Sequence, residues 1–114
     1  MEGCIFCRII NKELPSTVVY EDEKVLAFRD ISPAAAFHVL IIPKQHMENV
    51  MAIDSSNGSL LVDIHIAARR IAEKFELADK GFRLITNCGE GAGQTVFHLH
   101  YHMLSGEEVG TRLL

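Results

Sequence analysis

An α+β domain is what the sequence predicts, with an antiparallel sheet and one long helix packed on one face. Three observations carry that expectation. The 114 residues, 48% hydrophobic and 23% charged, fit one compact domain over residues 1–114. Short β-branched or aromatic runs occur in both halves of the chain. Between them, one segment repeats apolar residues at helical spacing. No internal repeat, low-complexity stretch or Gly/Ser/Pro-rich linker divides the chain.

Cys4 to Asn11 is short and mixed and reads as a turn of helix. Thr17 to Tyr20 and Val25 to Phe28 read as strands, and the polar Glu21-Asp22-Glu23-Lys24 between them suits a hairpin loop. Asp30-Ile31-Ser32-Pro33 is a turn, because proline and short polar side chains stop regular pairing. His38 to Ile42 shows little alternation, so this strand is expected to be covered on both faces and to end at Pro43. Met47 to Ile53 suits a short helix or turn.

Asp54-Ser55-Ser56-Asn57 offers several N-cap oxygens. Leu60, Leu61, Ile64, Ala67, Ala68, Ile71, Ala72 and Phe75 then line one face of the long helix, and Gly81 breaks the pattern. Phe82 to Thr86 is a strand. Asn87 to Gly93 is a loop with three glycines, and Val96 to Leu104 is the last strand.

Composition excludes several functions. The net charge of −4 argues against a nucleic-acid-binding surface, which carries clustered Lys and Arg. No apolar run approaches the ~20 residues of a membrane span. Met-Glu-Gly-Cys lacks a basic segment followed by an apolar stretch, so no signal peptide is expected. The odd count of three cysteines, Cys4, Cys7 and Cys88, argues against a disulfide framework. A soluble cytoplasmic protein is the expectation.

Six histidines stand out against no tryptophan. Three fall in His98-Leu99-His100-Tyr101-His102-Met103-Leu104. Period-two alternation on a strand puts His98, His100 and His102 on one face and Leu99, Tyr101 and Met103 on the other. The second set suits a core. Three imidazoles in a row do not, because each brings nitrogens that need partners. The plainer alternative is a solvated face or an adventitious metal patch. Just upstream, Asn87-Cys88-Gly89-Glu90-Gly91-Ala92-Gly93-Gln94-Thr95 offers backbone and side-chain donors for an anion. A glycine-rich loop alone is an ordinary turn. Placed before three aligned histidines, it makes a phosphate seat.

The run His-φ-His-φ-His-φ-φ, with φ apolar, resembles the signature of the histidine-triad family of nucleotide hydrolases and transferases. Asp30-Ile31-Ser32-Pro33, Phe37 to His46 and Asn87 to Gln94 are similar to the corresponding family segments, in the same order and at similar spacing. The resemblance runs from about Cys4 to Leu104, and the compact length is similar to the Hint branch, the nucleoside phosphoramidate hydrolases. It implies a five-stranded antiparallel sheet, a long and a short helix, and a homodimer whose sheets join across the interface. It also implies that His100 is the nucleophile and that His102 and His38 contact the phosphate and leaving group. Asn87, Gly93, Gln94 and Thr95 would hold the phosphate oxygens. Asp30 would accept from the ribose, and Ile31 and Phe28 would line a purine base. Taken alone, Asp30 reads as an Asx turn before Ser32-Pro33, and His38 as a core histidine.

The chemistry suits these residues. A neutral imidazole, with an unperturbed pKa near ~6.5, is a good nucleophile at pH 7. Its other nitrogen must donate to a carbonyl to fix the tautomer. An amine leaving group also needs a proton.

Cys4-Ile5-Phe6-Cys7 is a C-x-x-C pair, open to a metal, a redox dithiol or two buried small residues. The redox reading lacks a βαβ context. His46 and His98 could complete a Cys2His2 set, and bacterial family members place structural zinc on residues matching these four. Catalysis would then need no cofactor. Cys88 reads as incidental, His65 as a surface or interface residue, and Glu107-Glu108 as a solvated tail. The tail lacks the Trp-containing ending of the eukaryotic members. Three rival readings remain: a dinucleoside polyphosphate hydrolase of the Fhit type, a nucleotide-binding regulatory module, and a structural zinc protein. The last gives His38, His100 and His102 no purpose.

Overall fold

The computed structural model describes residues 3–114. Met1 and Glu2, which open the segment read as carrying no signal peptide, lie outside the described residues. The elements follow the order α1 (Ile5–Ile10), β1 (Val18–Glu21), β2 (Val25–Arg29), β3 (Phe37–Pro43), α2 (Ser59–Lys74), β4 (Arg83–Ile85) and β5 (Tyr101–Ser105). Short 3-10 turns cover Val50–Ala52 and Glu90–Ala92. The five strands form one sheet in the order β1-β2-β3-β5-β4, with every neighbouring pair antiparallel. The α+β expectation therefore holds, down to one long and one short helix. No helix among the described residues is long and apolar enough to cross a membrane.

Both faces of the sheet are covered. Leu60, Ile64, Ala67, Ala68 and Ile71 of α2 bury against Val25, Ala27, Val39, Ile41, Leu99 and Met103. On the other face, Leu26, Phe28, Leu40 and Ile42 pack with Cys4, Phe6 and Cys7 around α1. This is why β3 reads as a continuous apolar run: all seven of its residues are buried. Its alternation places His38 on the α1 face with Leu40 and Ile42, away from α2.

β3 ends at Pro43 as expected, with Pro43 paired to Val25. Three other boundaries differ from expectation. Asp54 to Asn57 do not cap α2. Asp54 Oδ1 accepts from the Ser56 amide (2.8 Å) and hydroxyl (2.6 Å), and Asn57 Oδ1 accepts from the Asp54 amide (2.8 Å). These oxygens build the preceding turn, and Gly58 stands at the N-cap without a side-chain bond. Gly81 does not end α2 either. The helix stops at Lys74, with Glu76 left-handed at φ 57° and the Leu77 amide donating to Ala72 O (2.8 Å). That is a Schellman closure with glutamate at the position glycine favours.

The third boundary concerns the histidine segment: β5 begins only at Tyr101, whereas Val96 was expected to open it. Glu107 and Glu108 are exposed, as expected of a solvated tail, and Glu108 Oε1 also accepts from the Ala36 amide (3.2 Å).

Candidate active site

Outside the ladder, the His98–His100 backbone is held by two other bonds. The Leu99 amide donates to Met47 O (2.7 Å), and Thr86 Oγ1 donates to His100 O (2.8 Å). The side-chain alternation survives. Leu99 and Met103 are fully buried in the α2 core. His98 and His100 turn to the α1 face, where the Phe6 ring stands edge-on to both, with centroids 5.9 and 5.2 Å away.

Backbone groups fix the tautomers of His100, His98 and His38, and His38 in turn fixes that of His102. His100 Nδ1 lies 2.7 Å from His98 O, so it carries the proton and leaves the Nε2 lone pair free. His98 Nε2 donates to Pro43 O (2.8 Å), which turns its Nδ1 lone pair toward Cys4 and Cys7. The Ala34 amide donates to His38 Nδ1 (2.9 Å), so the His38 proton sits on Nε2. That proton faces His102 Nδ1 at 2.9 Å, and His102 in turn carries its own on Nε2. Burial first, then His100 and His38 nearby, pushes His102 down to about 4. Burial likewise pushes His98 down to about 4. Both are neutral at pH 7.

Asp30 serves two ends. Its Oδ1 accepts from the Ser32 amide (2.8 Å), the Asx turn that its sequence context suggests. Its Oδ2 lies 3.4 Å from His38 Nε2.

Among the described residues, two clusters have metal-ligating side chains. In the first, the ligand atoms of Cys4, Cys7, His46 and His98 all lie within 4.8 Å of one another. The His98 Nδ1 distances are 3.3 Å to Cys4 Sγ, 3.6 Å to Cys7 Sγ and 3.2 Å to His46 Nδ1. Ligand edges of roughly 3.3–3.8 Å follow from tetrahedral zinc bonds to sulfur and nitrogen. The donor set fits such an ion. Burial and the neighbouring Cys4 raise the Cys7 thiol pKa, a cost a cation would reverse.

The second cluster is Asp30, His38 and His102. It does not suit an ion, because metal on His38 Nε2 would put the proton on Nδ1, against the Ala34 amide. These residues contact one another instead, His38 Nε2 lying between His102 Nδ1 and Asp30 Oδ2.

A cleft of about 280 Å³ opens beside the histidines. Phe28, Asp30, Ile31, Thr95, His100 and His102 line it, as do Ile5, Phe6, Ile9 and Leu40. Ile31 lies at the rim, 98% exposed. Asn87, Gly93 and Gln94 are not among the lining residues. Gln94 requires correction as a phosphate donor. Its Nε2 donates both protons, to Glu48 O (2.7 Å) and Val96 O (3.0 Å), and its Oε1 accepts from the Gly89 amide (2.8 Å) and Asn49 (3.3 Å). Gln94 ties the glycine loop down rather than facing the cleft. Gly93, at φ 89°, makes the left-handed turn into it. Sequence reasoning missed Phe6, Thr86 and the Ala34 amide. Only Phe6 carried a signal, as an aromatic residue between two candidate ligands.

The fold and this site define a histidine-triad domain. The chain belongs to that family: residues 11–109 match the HIT domain model. A purine nucleoside phosphoramidase of Escherichia coli strain K12 is 42% identical over 112 residues, 98% of this chain and 94% of that protein. A HIT family hydrolase from Clostridium thermocellum superposes with a TM-score of 0.97 at 60% identity, covering 100% of this chain and 99% of that one. A histidine triad protein from Clostridium difficile gives 0.94 at 43% identity, covering 98% and 97%.

Proposed function

We propose that the protein hydrolyses purine nucleoside 5′-phosphoramidates, of the AMP–amine type, through a nucleotidyl-histidine intermediate on His100. One observation carries the reading. The His98 carbonyl holds the His100 Nδ1 proton, which frees the Nε2 lone pair beside a cleft that His102 also lines. The phosphoramidase and hydrolase relatives support the same class.

In the first step, His100 Nε2 attacks phosphorus and the P–N bond breaks. The amine leaves with the bonding pair and the proton of His102 Nε2. His102 Nδ1 draws on the His38 Nε2 proton 2.9 Å away, and the cationic nucleotidyl-imidazole balances the charge. In the second step, water attacks phosphorus, His100 departs with the P–N pair, and the water proton restores the His102–His38 pair. Thr95 contacts the phosphate. Asn87 and Gly93 join it through the loop backbone, with Gln94 as the tie beneath. Asp30 receives the ribose, and Phe28 and Ile31 flank the base.

Zinc on Cys4, Cys7, His46 and His98 completes the reading. It supplies a cross-link between α1 and the sheet, with four protein ligands and no open position for catalysis. The ion is structural and turnover needs no other cofactor. The protein works as a homodimer in the reducing cytoplasm, in keeping with three free cysteines. The phosphoramidase reading is tested with an AMP–alkylamine, a dinucleoside triphosphate and the His100→Ala variant. The amidate is turned over fastest, and the variant loses turnover while still binding AMP. Near-normal rates in the variant would overturn the mechanism, and preference for the dinucleotide would overturn the substrate class.

A further inference from the structure

We propose that Glu108, in the C-terminal tail, is a positioning residue for the proton that reaches the leaving group. The inference rests on the phosphoramidase reading above. The segment between β2 and β3, residues 30–36, is held on its inner side by the Ala34 amide donating to His38 Nδ1 (2.9 Å). On its outer side, the Ala36 amide donates to Glu108 Oε1 (3.2 Å). Phe37 and His38 follow at once, paired with Ser105 and Leu104. A shift at Ala36 is therefore felt two residues away, at the amide and the imidazole that decide where the His38 proton sits.

The tail is shaped for this contact. Gly106 adopts φ +134°, and a Cβ there would stand 2.7 Å from Glu108 Oε1 and 3.1 Å from Ala36 Cβ. The Val109 amide closes the turn onto Gly106 O (3.1 Å). Arg83 of β4 holds the next residues by donating to Gly110 O and Arg112 O. Glu108 thus lies at the end of a chain of bonds: Ala36 amide, loop, Ala34 amide, His38, His102. It touches no reacting atom. Its effect falls on the proton-donating side, because Ala36 lies at the His38 end of the segment, away from Asp30 and Ile31 at its start.

The test compares two leaving groups in wild type, Glu108→Ala and Glu108→Gln. An AMP–alkylamine needs a proton to depart, whereas p-nitrophenyl AMP does not. Glu108→Ala lowers kcat on the amidate by about threefold to tenfold with KM within about twofold, because misplaced donors act on the transition state. It leaves the p-nitrophenyl ester within about twofold. Glu108→Gln keeps the accepting oxygen and restores the amidate rate. An equal loss on both substrates, or no loss on either, overturns the proposal.

Proton–nitrogen correlation spectra of the imidazoles in the free proteins supply a readout independent of turnover. The His38 Nε2–H signal of wild type weakens or splits in Glu108→Ala and returns in Glu108→Gln; an unchanged signal overturns the link. A wild type inactive on the amidate, or an active His100→Ala variant, instead defeats the phosphoramidase reading, and the His38 signal still decides the role of Glu108.

Discussion

His102 titrates far below a free imidazole because burial and two neighbouring histidines disfavour its cation. The consequence for stability has a definite sign. The folded value, about 4, lies below the unfolded value of 6.5, so the unfolded chain binds the proton more readily. The stabilisation is present above pH 6.5 and is lost as pH falls through 4. Unfolding free energy measured by denaturant should decline across that window, and His102→Gln should flatten the decline. An unchanged slope would show that the site does not set it. Gln94 makes a second prediction. It is 3% exposed and engages four partners. At a net ~1 kcal/mol per bond plus the cost of stranded partners, Gln94→Leu should lose about 2–4 kcal/mol and speed amide exchange across residues 87–95. Sequence pattern made the three aligned histidines legible because facing obeys alternation even where the strand has not begun. It could not reveal that Gln94 looks away from the cleft, because the Glu48 carbonyl it binds is remote in the chain. The Ala34 amide was hidden for a plainer reason: every residue but proline has one.

Helix α2 shows what is legible at the scale of an element. Its apolar face read correctly because the 3.6 period is written in the side chains. Its ends did not, because several residues could close each one. Glu76 occupies the left-handed C-terminal position at φ 57°, where a Cβ is strained. Glu76→Gly should therefore stabilise the protein by about 0.5–1 kcal/mol, seen as a raised melting temperature, despite the added freedom of the unfolded chain. Helix α1 makes the opposite case. Six residues are too few to persist alone, so packing and the Cys4–Cys7 clamp must hold it. If zinc sits there, chelation should lower the melting temperature and loosen Phe6, whose ring backs His100 at 5.2 Å. Metal content far below one per chain in protein purified without added zinc, or a melting curve indifferent to chelator, would remove the ion from the account.

Across the whole molecule, the strands were readable but their order was not. β5 inserts between β3 and β4, a pairing that joins distant parts of the chain and leaves no local mark. That insertion brings His102 within hydrogen-bond distance of His38, the contact on which the proposed proton transfer depends. It also leaves β1 and β4 at the sheet edges. Beyond the core stripe, α2 keeps Val62 58% and Ile66 42% exposed, around a shallow apolar cleft shared with Leu61, His65 and Arg69. His65 donates to Leu61 O (2.7 Å) and sets its ring on Tyr101, which extends the patch toward β5. A second copy meeting this face about a two-fold axis would cover the same residues on both chains, as a self-complementary contact requires. Val62→Glu with Ile66→Glu places charges on that surface without touching the core. Sedimentation should then show a monomer where wild type shows a dimer. A wild type that sediments as a monomer at micromolar concentration would end the dimer proposal, and a variant that stays dimeric would move the interface off α2.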